Sequence, residues 1–266
     1  MRDCGPMGST NAIQGTHLTV RYGRRLALDD VSFAVVAGSA TALVGANASG
    51  KSTLLHAMAG LIDPSSGSIE RASPKVAYVL QHTGMRSWMP LTVDEVLHMG
   101  RYGAVGRVGR FGRDDRVAIS EAAARLEVEN IRRRQFGELS GGQRQRVLVA
   151  QALTQQAPVL LLDEPITGLD LPSQDRILDV VEEETQAGRT VVMSTHHLEE
   201  AHHCEQVLVL ATRLVAAGAP TEVLTPDVLR AAYEDHLFGA HAGHDHPTGL
   251  MLFDDHGHGH DPTSQD

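Results

Sequence analysis

Apolar positions along the chain recur at two spacings, and their alternation predicts a layered α/β protein. His17-Leu18-Thr19-Val20-Arg21-Tyr22 alternates with period two, as a half-buried strand does. After a turn at Gly23, Ala27–Phe33 predicts a second strand, punctuated by Gly38. Ala40–Val44 is a short apolar run closed by Gly45, and Lys51 to Gly60 carries Leu54, Leu55 and Met58 at helical spacing with Gly60 as a stop. Asp63–Gly67 predicts a turn, and Pro74 opens a strand over Val76–Leu80. Thr92 is placed to cap a helix with Asp94 and Glu95 in its first turn. Glycines at 100, 103, 106, 109 and 112 break up the next stretch, and the Ala- and Glu-rich Ser120–Glu129 predicts a helix. A further helix begins near Arg144, and the unbroken apolar run Val159–Leu162 suits a central parallel strand. Residues 172–187 predict a charged amphipathic helix, Thr190–Thr195 a buried strand, Val207–Leu210 and Leu214–Gly218 a hairpin, and Pro226–Tyr233 a last helix.

Composition narrows the possibilities. Apolar residues make up 42% of the 266 and aromatics 4%, so the core must be built from Ala, Val and Leu, as in sheets covered by helices. A formal charge of −10 gives broad nucleic-acid binding no electrostatic support. Cys4 and Cys204 form no disulfide framework, and neither a signal peptide nor a run of about 20 apolar residues is evident, so a cytosolic protein is expected. Residues 1–11, small, polar and containing Gly and Pro, are expected to be disordered. A main domain is expected over 12–235, with a mostly helical insertion at about 85–150 holding less apolar material than the sheet. Residues 236–266 read as a flexible histidine-rich tail.

The candidate chemistry begins at Gly45-Ala46-Asn47-Ala48-Ser49-Gly50-Lys51-Ser52-Thr53, which fits G-x-x-x-x-G-K-[ST] between a predicted strand and a predicted helix. In that setting successive backbone N–H groups and a helix N-terminus converge on the phosphates of a nucleoside triphosphate. Lys51 adds a charge, and Ser52 offers a hydroxyl to Mg²⁺. Asp163-Glu164-Pro165 follows the apolar run at 159–162, where α/β sheets put ligands, so Asp163 can hold Mg²⁺ and Glu164 can act as general base toward water. Tyr22 fits equally a packing aromatic at a sheet edge and a platform on which a purine stacks. Leu139-Ser140-Gly141-Gly142-Gln143 opens a helix and makes a second anion site by the same dipole argument. One triphosphate does not need two such sites, and the excess is explained if the second serves another copy's nucleotide.

Together these residues resemble the nucleotide-binding subunit of an ATP-binding-cassette (ABC) transporter, over residues 13 to 235 and in the family's order. The resemblance implies a P-loop NTPase fold of the ABC ATPase type: a mostly parallel central sheet, an N-terminal antiparallel β subdomain and an inserted helical subdomain. It implies head-to-tail pairing of two subunits, with ATP between Gly45–Thr53 of one and Ser140, Gly141, Gly142 and Gln143 of the other. It further implies that Tyr22 stacks on adenine, that Gln81 senses Mg²⁺ and the membrane partner, and that Asp170 bridges the two sites. His196 would contact the γ-phosphate. Ala48 stands where the family usually has glycine, at an expected cost on the order of 1 kcal/mol if its φ is positive.

The segment Trp88–Val93 with Met99–Tyr102 is similar to importers of metal ions and metal chelates. The tail adds seven histidines from His236 onward, among them His241, His244, His246, His256, His258 and His260, in flexible tracts that suit Zn²⁺, Ni²⁺ or Cu²⁺. The expectation is therefore a Mg²⁺-dependent ATPase on the inner face of the cell membrane, driving import of a divalent metal, zinc foremost. Its partners would be an integral membrane permease and, indirectly, a metal-binding extracytoplasmic protein. An iron-chelate importer of the siderophore or heme type, and a soluble cassette ATPase without a permease, are the alternatives. A third is a metal buffer or sensor with metal-gated ATPase activity.

Overall fold

A computed structural model describes residues 11–80, 90–106 and 109–239. Gln81, Trp88 and the six tail histidines from His241 to His260 lie outside the described residues, as do residues 1–10.

Among the described residues the strands form two sheets. The first is antiparallel and three-stranded, β1 (Asn11–Tyr22) between β2 (Arg25–Val36) and β4 (Ser66–Arg71). The second is six-stranded in the order β5-β6-β7-β3-β8-β9, comprising β3 (Ala40–Val44), β5 (Val76–Val79), β6 (Val159–Asp163), β7 (Thr190–Thr195), β8 (Gln206–Ala211) and β9 (Arg213–Gly218). All its neighbours run parallel except the β8–β9 hairpin. The mostly parallel sheet and the antiparallel N-terminal sheet are both as expected.

Strand alternation divides the core in two. Ala42, Leu160, Leu162, Val191, Met193 and Val209 face one apolar cluster, which they share with the helices α2 (Val93–Met99), α4 (Arg113–Arg125), α5 (Gly141–Thr154) and α6 (Leu171–Gln186); the short helix α3 (Tyr102–Val105) lies between α2 and α4 in the chain. Leu43, Leu161, Val192, Leu208 and Leu210 face the other, closed by β1, β2 and α1 (Lys51–Ala59). Continuous apolar runs arise because both faces of the large sheet are covered. The helical stretch is better packed than its composition implied. Val93, Val96, Leu97, Ala123, Leu126 and Val128 are fully buried, in one cluster with the sheet.

Several boundaries differ from the sequence expectation. The segment read as a turn at Asp63–Gly67 ends inside β4, an exposed strand whose pairing with β1, not its own pattern, makes it extended. β1 begins at Asn11, earlier than predicted, because positive φ at His17 and register shifts interrupt its alternation. α4 starts at Arg113 and ends at Arg125, shifted towards the N-terminus of the predicted Ser120–Glu129. Gly100, after α2, is required by packing: a Cβ there would stand 2.0 Å from Thr154 Oγ1 and 2.3 Å from the Gln151 carbonyl. Arg101 is a buried strut, donating from Nε to Asp115 Oδ1 (2.8 Å) and from its terminal nitrogen to the Thr154 carbonyl (2.9 Å), while Met99 and Tyr102 are exposed beside it. Among the described residues no helix is long and apolar enough to cross a membrane.

Candidate functional site

The loop between β3 and α1 owes its shape to two left-handed residues, Ala48 at φ 64° and Gly50 at φ 102°. The φ of Ala48 is positive, so a non-glycine residue sits in the conformation that L-residues resist. Gly50 has no room for a side chain, since a Cβ would lie 2.6 Å from the Ala27 carbonyl. The Lys51 side chain is 5% exposed and folds back over the loop, donating to the carbonyls of Gly45 (2.7 Å) and Ala46 (3.0 Å). Burial pulls its ammonium below the usual lysine range, and the nearby Glu164 and Asp163 carboxylates oppose that shift. Ser49 Oγ is buried in the loop with no hydrogen-bond partner among the described residues.

The acidic pair sits where β6 ends. Asp163 is 3% exposed, and Oδ1 accepts from Ser194 Oγ at 2.6 Å while Oδ2 accepts from the Tyr78 hydroxyl at 3.3 Å. Burial first, then the Asp163 charge, pushes the Tyr78 phenol upward, so it remains a donor. Glu164 turns out of the sheet at φ 47° and donates its N–H to Ser194 Oγ at 2.9 Å. Its carboxylate lies 3.9 Å from Lys51 Nζ and 3.7 Å from His196 Nδ1, with Thr167 Oγ1 donating to it at 3.4 Å. His196 stands tilted against His197, ring centroids 4.1 Å apart.

Lys51, Glu164, Thr167 and His196 border one cleft of about 530 Å³ with Tyr22, Arg25, Asn47, Ser52 and Thr53, while Asp163 does not line it. Ser140, Gly141, Gly142, Gln143 and Asp170 do not line it. They meet elsewhere. Ser140 caps α5 by accepting from the Gln143 N–H at 3.2 Å, and Gln143 Oε1 accepts from the Ser140 N–H in return. Gly142 is packed so closely that a Cβ would lie 2.5 Å from Asp170 Oδ1 and from Ser173 Oγ, whereas Gly141 faces open space. Ser194, Tyr78 and Thr167 were missed as site residues. A hydroxyl following the apolar run Val191–Met193 was the available signal for Ser194.

A glycine-bounded loop opening a helix beside a strand-end carboxylate, with a lysine folded over it, defines a phosphate-loop nucleoside triphosphatase. The hydroxyl of Ser52 and the carboxylate of Asp163 are hard oxygen donors, the chemistry Mg²⁺ requires. Comparison with known proteins narrows the class. Residues 28–167 match the ABC transporter family model. The chain is 34% identical over 250 residues to the chelated iron transport system membrane protein YfeB of Yersinia pestis, covering 90% of this chain and 83% of that one. It is 35% identical over 231 residues to the manganese transport system ATP-binding protein MntB of Listeria monocytogenes, covering 84% and 95%. Its fold superposes on a metal-chelate type ABC transporter in an inward-facing conformation with TM-score 0.77, at 28% identity, over 85% of this chain and 90% of that chain. The chain belongs to the ABC transporter family. It is an ATPase whose hydrolysis is coupled to transport.

Proposed function

We propose that this chain powers import of a divalent metal ion, with zinc as the cargo, as a homodimer docked on a separate membrane permease at the cytoplasmic face of the membrane. The observation that carries the catalytic reading is the convergence of Lys51, Glu164 and His196 around one cleft that Ser140–Gln143 do not reach, with Asp163 buried next to Glu164 at the end of β6. ATP would lie with its phosphates on the N–H groups of Gly45 to Thr53, its base on Tyr22 and its charge met by Lys51. Ser52, Gln81 and Asp163 are the residues that would hold Mg²⁺, which would supply positive charge against the phosphates. Glu164 takes the proton of the attacking water as its oxygen bonds to the γ-phosphorus and the bond to the β-phosphate oxygen breaks. His196 steadies the γ-phosphate. Ser140, Gly141, Gly142 and Gln143 of a second copy complete each site, and Asp170, packed against Gly142, links the two.

Metal cargo is supported by the manganese and chelated-iron systems of the relatives. Zinc rests on the tail, where His241, His244, His246, His256, His258 and His260 supply imidazole ligands. Residues 236–266 act as that tail, 12–235 as the ATPase domain with its helical insertion at about 85–150, and exposed Leu80, Met99 and Tyr102 offer apolar surface to the permease. A metal-binding extracytoplasmic protein delivers the ion. Import of an iron chelate is the second reading, favoured by the YfeB likeness. Uptake of radioactive zinc, manganese and chelated iron in cells with and without this chain tests the assignment. Selective loss of zinc uptake supports it, loss of chelated iron alone establishes the second reading, and loss of none points to a cassette without a permease.

A further inference from the structure

Ser194 is fully buried in β7, between β6 and β3. The parallel register sets it directly opposite Asp163 on β6, and sets Tyr78 on β5 opposite Leu161, two residues before Asp163. Alternation along three neighbouring strands therefore turns Tyr78, Asp163 and Ser194 to one face of the sheet, beneath α1. Both Asp163 oxygens are engaged there by hydroxyls from different strands, Ser194 at 2.6 Å and Tyr78 at 3.3 Å. Ser194 does more than satisfy a carboxylate. At Glu164 the chain leaves the ladder with φ 47°, and the Glu164 N–H goes to Ser194 Oγ at 2.9 Å. One hydroxyl thus grips the side chain of one acidic residue and the backbone of the next.

The geometry points to Ser194 as a positioning residue for the ATPase reaction: it orients the Asp163 carboxylate toward Mg²⁺ and anchors the strained backbone from which Glu164 reaches the attacking water, with Tyr78 as the second orienting donor. The inference rests on the reading of Asp163 as a Mg²⁺ holder and Glu164 as base. Ser194→Ala takes from Asp163 Oδ1 its closest donor and from the Glu164 N–H the hydroxyl that accepts it, both deep in the protein. Ser194→Thr keeps the hydroxyl, on a β-branched side chain suited to a strand.

The test compares wild type, Ser194→Ala, Ser194→Thr and Tyr78→Phe in the full chain. Binding of a fluorescent non-hydrolysable ATP analogue is titrated with and without Mg²⁺, the EPR signal of Mn²⁺ in the analogue complex is recorded, and steady-state kcat and KM are measured. Loss of an outer orienting partner costs on the order of 10–100-fold in metal affinity or activity. Ser194→Ala is expected to raise the Mg²⁺ concentration needed for tight analogue binding by about 10-fold or more and to lower kcat similarly, leaving metal-free binding nearly unchanged. Ser194→Thr restores both, and Tyr78→Phe shifts Mg²⁺ dependence in the same direction by less. Thermal unfolding without nucleotide separates this from simple destabilisation. A folded Ser194→Ala with wild-type Mg²⁺ dependence overturns the inference, as does an unchanged Tyr78→Phe where Ser194→Ala fails to fold. A wild-type chain whose analogue binding ignores Mg²⁺ overturns the underlying reading of Asp163 instead.

Discussion

Ala48 is a direct test of whether the phosphate loop stores backbone strain. Its φ of 64° lies in the left-handed region, and its side chain is exposed, so removing the methyl group gives up no core packing. A non-glycine residue held there costs roughly 1–2 kcal/mol. Against that, glycine loses about 0.5–1 kcal/mol more backbone entropy on folding than alanine. Ala48→Gly should therefore stabilise the nucleotide-free protein by roughly 0.5–1 kcal/mol, raising the melting temperature by about 1–4 °C for a domain of this size. Ala48→Val is the opposing perturbation, because a β-branched residue at positive φ is a genuine outlier, and it should melt lower than wild type. Thermal unfolding by circular dichroism or calorimetry, without nucleotide, reads both changes. An Ala48→Gly protein that melts lower than wild type, or an Ala48→Val protein that melts the same, would refute the strain argument.

Three further outcomes are expected. Glu164→Gln preserves shape but removes the base, so ATP turnover should fall about 10²–10⁴-fold while ATP holds the variant as a dimer on size-exclusion chromatography; a monomer that hydrolyses normally would sink the assignment. Gly100→Ala drives a methyl into Thr154 and the Gln151 carbonyl, an overpacking that should cost about 1–3 kcal/mol and be read as a lower denaturation midpoint at unchanged slope. Burial, with the Glu205 and Glu200 charges behind it, pushes the Cys204 thiol up to about 12. A raised folded-state value contributes stability that is complete below the unfolded thiol value of about 8.5 and is lost as pH rises from there through about 12. At pH 8.5, peptide-resolved alkylation should thus label Cys204 in urea but not in the native protein, and equal labelling would contradict the burial.

Local pattern carried the phosphate loop, β3, β7 and the cap of α2, because each depends on residues within a few positions of one another. The Thr92–Glu95 capping box is closed by neighbours three apart, so it could be read before any tertiary contact was known. The polar strand β4 could not be read in that way. Ser66–Arg71 offers only Ile69 as an apolar residue, and its extended form comes from hydrogen bonds to β1. β1 itself was legible only from His17, because the bulged register around Gly15 and Leu18 disrupts the period on which the reading relied.

By itself the sequence determined the family and its ATPase class, since these follow from short motifs whose spacing dictates their geometry. Tertiary structure alone decided which strands are neighbours, and hence that Tyr78, Asp163 and Ser194, distant along the chain, share one face and one set of hydrogen bonds. It likewise separated Ser140–Gln143 from the cleft that Lys51 and Glu164 border. The physical reason is the same in both cases. A motif specifies the direction of its own N–H groups and side chains, whereas strand order and helix packing are settled by the burial of apolar surface summed over the whole chain.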